Sequence, residues 1–162
     1  MDSLYLLSNK KLRTVPYGFR RYLLFSIDTG ERLIGILGAR GTGKTILLLQ
    51  LMKFRFPEEE SLYLSLDDIY FLKHSLTETA VCFLQRGGRH LFLDEVHKYP
   101  SWSQEIKNLY DNYPELRIAF TGSSVIEISR TSGDISRRAA MYHLHPLSFR
   151  EYLEMEKIYT GK

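Results

Sequence analysis

Residues 38 to 45 read Gly-Ala-Arg-Gly-Thr-Gly-Lys-Thr and fill every required place of the pattern G-x-x-x-x-G-K-[ST]. Gly38, Gly41 and Gly43 carry no Cβ, so the loop can turn its main-chain N–H groups inward as a nest of donors for a phosphate. The apolar run Leu33-Ile34-Gly35-Ile36-Leu37 ahead of the loop reads as a buried strand. Behind it, Lys44 to Met52 reads as a helix whose positive dipole end points at the same phosphates. In that setting Lys44 reaches the β and γ oxygens and Thr45 offers its hydroxyl to Mg²⁺. Ala39, Arg40 and Thr42 complete the binding loop. The pattern gives the Arg40 side chain no fixed role, and solvent is where it is expected.

A second pattern supplies acids. His90-Leu91-Phe92-Leu93-Asp94-Glu95 is a buried-strand run that ends in two carboxylates. An acid at the carboxyl end of a parallel strand lies at the mouth of a nucleotide crevice. Asp94 is thereby placed to hold the metal and Glu95 to orient a water beyond the γ-phosphate. Taken alone, the pair would read equally well as solvated charges closing a strand.

Other groups leave alternatives open. Thr121-Gly122-Ser123-Ser124 ends a strand beside the expected crevice, where a hydroxyl serves either a phosphate or a helix N-terminus. Arg137-Arg138 is either a solvated pair or the source of an arginine finger, in cis or toward a neighbouring subunit. Asp67-Asp68 reads as a turn and helix cap. His97, His143 and His145 show no metal-ligand spacing. Lys10, Lys11, Arg13, Arg20 and Arg21 could line a DNA backbone, but such residues are more often simply solvated charge.

The elements that would position these residues alternate along the chain. Strand patterns at 33–37, 61–66, 90–94, 117–121 and 141–145 are interleaved with helical ones. Two of the helices open on capping boxes, Ser75 with Glu78 and Ser148 with Glu151, the latter with Leu147 and Tyr152 placed as a hydrophobic staple. A helix after Pro100-Ser101 carries Trp102, Ile106, Leu109, Tyr110 and Tyr113 as a core stripe. Such alternation predicts an α/β fold with a parallel, right-handed layered sheet. Residues 1–30 read as an N-terminal extension, 31–147 as the core, and 148–162 as the start of a following helix or lid. At 162 residues, 44% hydrophobic, 25% charged and with a net charge of +3, the composition is that of an ordinary globular domain. No run reaches the ~18 apolar residues of a membrane span. The N-terminus lacks a signal-peptide layout, which points to the cytoplasm and to no membrane partner. The single cysteine, Cys82, excludes an internal disulfide and reads as a small core residue.

The order of these motifs closely resembles the AAA+ ATPases of the AAA_14 type. The loop comes first, then Leu-Asp-Glu-Val-His-Lys-Tyr-Pro-Ser-Trp, Phe-Thr-Gly-Ser-Ser, Asp-Ile-Ser-Arg-Arg-Ala and Pro-Leu-Ser-Phe-Arg-Glu-Tyr-Leu, over roughly residues 18–155. The resemblance implies a three-layer α-β-α P-loop NTPase with a mainly parallel five-stranded sheet in the order 5-1-4-3-2, the Thr121 strand lying between the loop strand and the Asp94 strand. It implies that Lys44 and Thr45 bind phosphate and Mg²⁺, that Asp94 and Glu95 are the Walker B pair, that Ser123 sits near sensor 1, and that Arg138 is a candidate arginine finger. Members of the group usually continue into a C-terminal domain, and AAA+ relatives often complete the site as homo-oligomers. ATP is favoured because the guanine-selecting Asn-Lys-x-Asp motif is absent. The expectation is therefore a Mg-dependent ATPase. A P-loop kinase using Asp94 or the Asp67-Asp68 pair, and a non-hydrolysing nucleotide switch, are the competing readings.

Overall fold

The computed structural model describes residues 1–122 and 134–156. Strands β1 (Leu33–Leu37), β2 (Ser61–Ser65), β3 (His90–Asp94), β4 (Arg117–Gly122) and β5 (Ala140–His143) form one sheet in the order β2-β3-β4-β1-β5. Every neighbouring pair is parallel. This is the expected order 5-1-4-3-2 read from the opposite edge.

Successive strand residues face opposite sides of a sheet, and the buried residues divide accordingly. Leu33, Leu37, Leu62, Leu64, Leu91, Leu93, Ile118 and Phe120 share one core with Leu76, Ala80 and Phe83 of α4 (Leu76–Gln85) and with Trp102, Ile106 and Leu109 of α5 (Trp102–Asn112). Ile34, Ile36, Tyr63, Phe92 and Ala119 face the other way, onto Leu47, Leu48, Leu51 and Met52 of α3 (Lys44–Arg55). Burying one such side chain contributes about 1.5–3 kcal/mol. These two cores therefore do more to fix the helices than intrinsic propensity does. The capping boxes form as the sequence predicts, at Ser75 with Glu78 and at Ser148 with Glu151, the second opening α6 (Phe149–Met155). The staple does not close over it, because Leu147 and Tyr152 both remain exposed. Cys82 is half-buried rather than a core residue.

Residues 1–30 contain two helices, α1 (Asp2–Arg13) and α2 (Leu23–Ser26). Leu4, Ser8 and Leu12 are the buried residues of α1, and their spacing of four places them on one helical face. Leu4 joins the first core and Leu12 the second, while the Ser8 hydroxyl accepts a hydrogen bond from the Tyr63 main-chain N–H at 3.0 Å. The helix thus straddles β2, an edge strand whose open N–H and C=O groups would otherwise invite pairing with another chain. Among the described residues, no helix is long and apolar enough to cross a membrane.

Where β1 gives way to the glycine loop, main chains pass close together. The Leu144 N–H donates to the Leu37 carbonyl at 2.7 Å, and a Cβ on Gly38 would meet the Leu144 carbonyl oxygen at 2.5 Å. Both partners are backbone, so neither can swing aside. Gly38→Ala is expected to cost about 1–3 kcal/mol. Urea denaturation should record this as a lower midpoint with an unchanged slope.

Candidate functional site

The loop that follows β1 supplies the concave part of the site. Gly41 and Gly43 stand at φ 81° and 89°, in the left-handed region that residues with a Cβ rarely adopt. Gly43 is also the residue from which α3 starts. The Lys44 side chain is buried and folds back over the loop, its Nζ donating to the Ala39 carbonyl at 2.8 Å, and the Thr42 hydroxyl donates to the same oxygen at 2.9 Å. Burial lowers the Lys44 pKa, with the charges of Glu95 and Asp94 pulling the other way. Arg40 is exposed, as its sequence context predicts.

Asp94 ends β3 only 3% exposed. Such a carboxylate requires donors on both oxygens. Its Oδ2 accepts from the Thr45 hydroxyl and from the Tyr63 phenol, each at 2.8 Å, and its Oδ1 accepts a short hydrogen bond from the Thr121 hydroxyl. Burial, and then the Asp94 charge, push the Tyr63 phenol above its ordinary pKa, so it remains a donor at every physiological pH. Thr45 and Asp94 are thus in direct contact across 49 residues of sequence. Both present hard oxygen donors, the kind a Mg²⁺ ion takes when phosphates and waters supply its remaining ligands. No group of three or more His, Cys, Asp or Glu side chains among the described residues could hold a metal without such help.

Glu95 is the sole non-glycine residue with positive φ among the described residues, at φ 56° and ψ 42°. Its N–H donates to the Thr121 hydroxyl oxygen at 3.0 Å, and its Oε2 lies 3.3 Å from His97 Nε2. A left-handed non-glycine residue stores about 1–3 kcal/mol of strain and persists only where its surroundings over-determine it.

The structure does not bring every sequence candidate to this place. Ser123 lies outside the described residues. Arg138 forms a two-pronged pair with Asp111, at 3.0 and 3.2 Å, and donates to the Asp134 carbonyl at 2.9 Å. Asp111 is in the last turn of α5 and Arg138 immediately precedes β5, so both lie at the amino ends of the strands. The glycine loop leaves the opposite end of β1, roughly 16 Å away at about 3.3 Å per strand residue. Asp68 caps a short turn through the Tyr70 N–H, as the sequence suggested.

Arg21 departs from expectation altogether. It is 4% exposed rather than solvated or free to line a nucleic acid. Its guanidinium donates to Glu151 Oε1 at 3.0 Å, to the Thr42 carbonyl at 2.5 Å and to the His145 carbonyl at 2.8 Å. Its main-chain N–H donates to Gln50 Oε1, and the Gln50 amide donates in turn to the Phe19 carbonyl. Arg20 instead stacks its guanidinium over Phe54. A buried Gln50 within an otherwise apolar stretch of α3 was the one sequence signal that a polar strand of chain must run alongside. Between these segments and the loop opens a cleft of about 540 Å³, its apolar wall made by Pro16, Phe19, Ile46, Pro146, Leu147 and Met155. That volume lies in the range of small-molecule sites.

Comparison with known proteins adds three findings. The family model AAA_14, described as an AAA domain, matches residues 30–153. An uncharacterized protein of Methanocaldococcus jannaschii is 33% identical over 137 residues, covering 78% of this chain and 28% of the relative. This chain therefore spans little more than a quarter of that protein's length. In fold, it is similar to the structure of the S. cerevisiae Hsp104-ADP complex, with a TM-score of 0.65 at 15% identity over 94% of this chain and 26% of that one.

The buried pair of Arg21 and Glu151 makes the site sensitive to acid. Burial alone would raise the Glu151 carboxyl, but hydrogen bonds from the Ser148 and Tyr22 N–H groups, the Arg21 guanidinium and the Ser148 hydroxyl outweigh it and hold the pKa at about 2 against an ordinary 4.5. Because the folded value is the lower one, the stabilisation is fully present above pH 4.5 and is lost as pH falls toward 2. At ~1.4 kcal/mol per unit it amounts to at most ~3.5 kcal/mol. Urea unfolding of wild type and Glu151→Gln should differ by a constant margin above pH 5, and the margin should shrink steadily below pH 4.5.

Proposed function

The chain belongs to the AAA_14 family of AAA domains, and from that premise we propose that it binds ATP in the cleft beside the glycine loop and hydrolyses it with Mg²⁺. The observation that carries the reading is the direct contact of Thr45 with a buried Asp94 at the mouth of the sheet, one helical turn from the left-handed glycines of the loop. Such a hydroxyl and carboxylate, side by side at a helix N-terminus, form half of a metal–triphosphate site.

On this reading, the main-chain N–H groups of residues 41–45 take the β-phosphate, and Lys44 exchanges the Ala39 carbonyl for β and γ oxygens. Thr45 and Asp94 would hold Mg²⁺, which would supply positive charge against the negative charge developing on the phosphates. Tyr63 and Thr121 keep Asp94 aimed. Glu95, released from His97, polarises the attacking water. The apolar walls of the cleft suit a flat base, and ADP in the Hsp104 complex makes an adenine nucleotide the natural choice.

Arg138 cannot reach the loop of its own chain from the opposite end of the sheet, so we assign it to the site of a neighbouring copy. Its salt bridge to Asp111 is the contact it would leave. An arginine acting in this way contributes roughly 10³- to 10⁵-fold in rate.

Two measurements test the proposal. In the first, calorimetry with ATP should give full affinity for Glu95→Gln while phosphate release falls about 10²- to 10⁴-fold. Lys44→Ala should lose ATP binding itself. Equal turnover by wild type and Glu95→Gln would remove the hydrolase assignment. In the second, Arg138→Ala and Lys44→Ala, each inactive alone, should regain part of the wild-type turnover when mixed. No recovery, together with a specific activity independent of enzyme concentration, would remove the shared site.

A further inference from the structure

The Arg21 guanidinium touches three separate parts of the chain, namely the glycine loop at Thr42, the segment leaving β5 at His145, and α6 at Glu151. Its own main chain is pinned to α3 through Gln50. We propose that Arg21 is a positioning residue that couples the docking of α6 to the geometry of the phosphate-binding loop, so that α6 and ATP each strengthen the hold of the other. The proposal rests on the nucleotide reading above for its ligand.

The coupling follows from peptide geometry. In a planar trans peptide the C=O and the following N–H point in opposite directions. Drawing the Thr42 carbonyl toward Arg21 at 2.5 Å therefore turns the Gly43 N–H away from Arg21. The contact is close on both sides of that peptide, for Arg21 Nη1 lies 3.2 Å from where a Cβ on Gly43 would stand. With Gly43 at φ 89°, the peptide ahead of it could otherwise rotate at little cost. One guanidinium nitrogen thus fixes the direction of a donor that a phosphate needs.

At the other end, Glu151 holds Arg21 only while α6 is in place. Its Oε1 accepts from Arg21 Nε and from the Tyr22 N–H at 2.9 Å, and its Oε2 accepts from the Ser148 N–H and hydroxyl at 3.0 Å each. A second tie joins the same segments, the Tyr22 hydroxyl donating to Glu154. Withdrawal of α6 would leave the Arg21 side chain, 5% exposed, without its carboxylate. A buried charge that has lost its partner does not stay in its former geometry, and the Thr42 carbonyl is then released. By linkage, a ligand that requires the ordered loop must favour docked α6 by the same factor.

The test compares wild type with Arg21→Lys, Glu151→Gln, the double variant and Ser148→Ala. Lysine keeps the charge but carries its donors on one nitrogen, which cannot span acceptors now reached by three separate guanidinium nitrogens. Each of the first two is expected to weaken ATP binding about 5- to 50-fold, and the double variant no further than the worse single one. In nucleotide-free protein, hydrogen exchange should quicken both at 41–46 and at 149–155 and stay unchanged in α5. Ser148→Ala removes a hydroxyl that bonds Glu151 and alters no residue of the glycine loop, yet it should still quicken exchange at 41–46. This variant keeps the test decisive if substitution at Arg21 prevents folding. Full ATP affinity in folded Arg21→Lys, or quickened exchange confined to 149–155, overturns the coupling. Wild type that binds no ATP yet shows the paired exchange response would sink the nucleotide reading and support the coupling between α6 and the loop.

Discussion

A carboxylate nearly stripped of water governs this site. Asp94 is 3% exposed, and three hydroxyls from three different elements, Thr45 of α3, Tyr63 of β2 and Thr121 of β4, take the place of its lost hydration. A buried charge without such donors would cost several kcal/mol. The strand order is what makes the arrangement possible. With β4 inserted between β1 and β3, the loop and the acid stand two strands apart, and Thr121 fills the gap between them. The same hydroxyl accepts the Glu95 N–H, so one threonine fixes both the acid and the strained turn that follows it.

Everything beneath this cluster keeps the strands in register. Parallel strands need cover on both faces, and the division of the core into two clusters shows α4 and α5 on one side with α3 on the other. α1 adds the third requirement, closing the open edge at β2, the strand that carries Tyr63. A shift of β2 by one residue would send Tyr63 to the opposite face and deprive Asp94 of a donor. Protection of the edge and orientation of the acid are therefore one structural problem, addressed by a helix outside the family match.

Features written in neighbouring residues were legible in the sequence. The glycine loop, the Leu-Asp-Glu run and both capping boxes are signals confined to a few positions, and five strands could be read from short apolar runs. Contacts between residues distant in sequence were not. Arg21 and Glu151 lie 130 residues apart, and nothing in the composition around Arg21 separates this buried arginine from the exposed Lys10, Lys11, Arg13 and Arg20. Tyr63 was hidden for the same reason, because in β2 it reads simply as an aromatic core residue until β3 sets Asp94 beside it. The Arg137-Arg138 pair was ambiguous for want of knowing which end of the sheet it occupies, a matter of topology rather than pattern.

The groups expected to meet a triphosphate are meanwhile occupied with one another. Lys44 bonds to Ala39, Thr45 to Asp94, and Glu95 pairs with His97. Binding would thus exchange internal hydrogen bonds for external ones, and a neutral ligand gains little from such an exchange, since the net value of one hydrogen bond is only about 0.5–1.5 kcal/mol. A polyanion gains more, because charge-assisted bonds from Lys44 and the loop N–H groups are roughly twice as strong as the neutral ones they replace. On the proposed reading, selectivity for a triphosphate over an uncharged ligand of similar shape would arise from the internal bonds given up as much as from the new ones formed. On the same reading, loss of the Lys44–Ala39 bond would cost about 0.5–1.5 kcal/mol, which the charge-assisted bonds of a phosphate chain would more than offset.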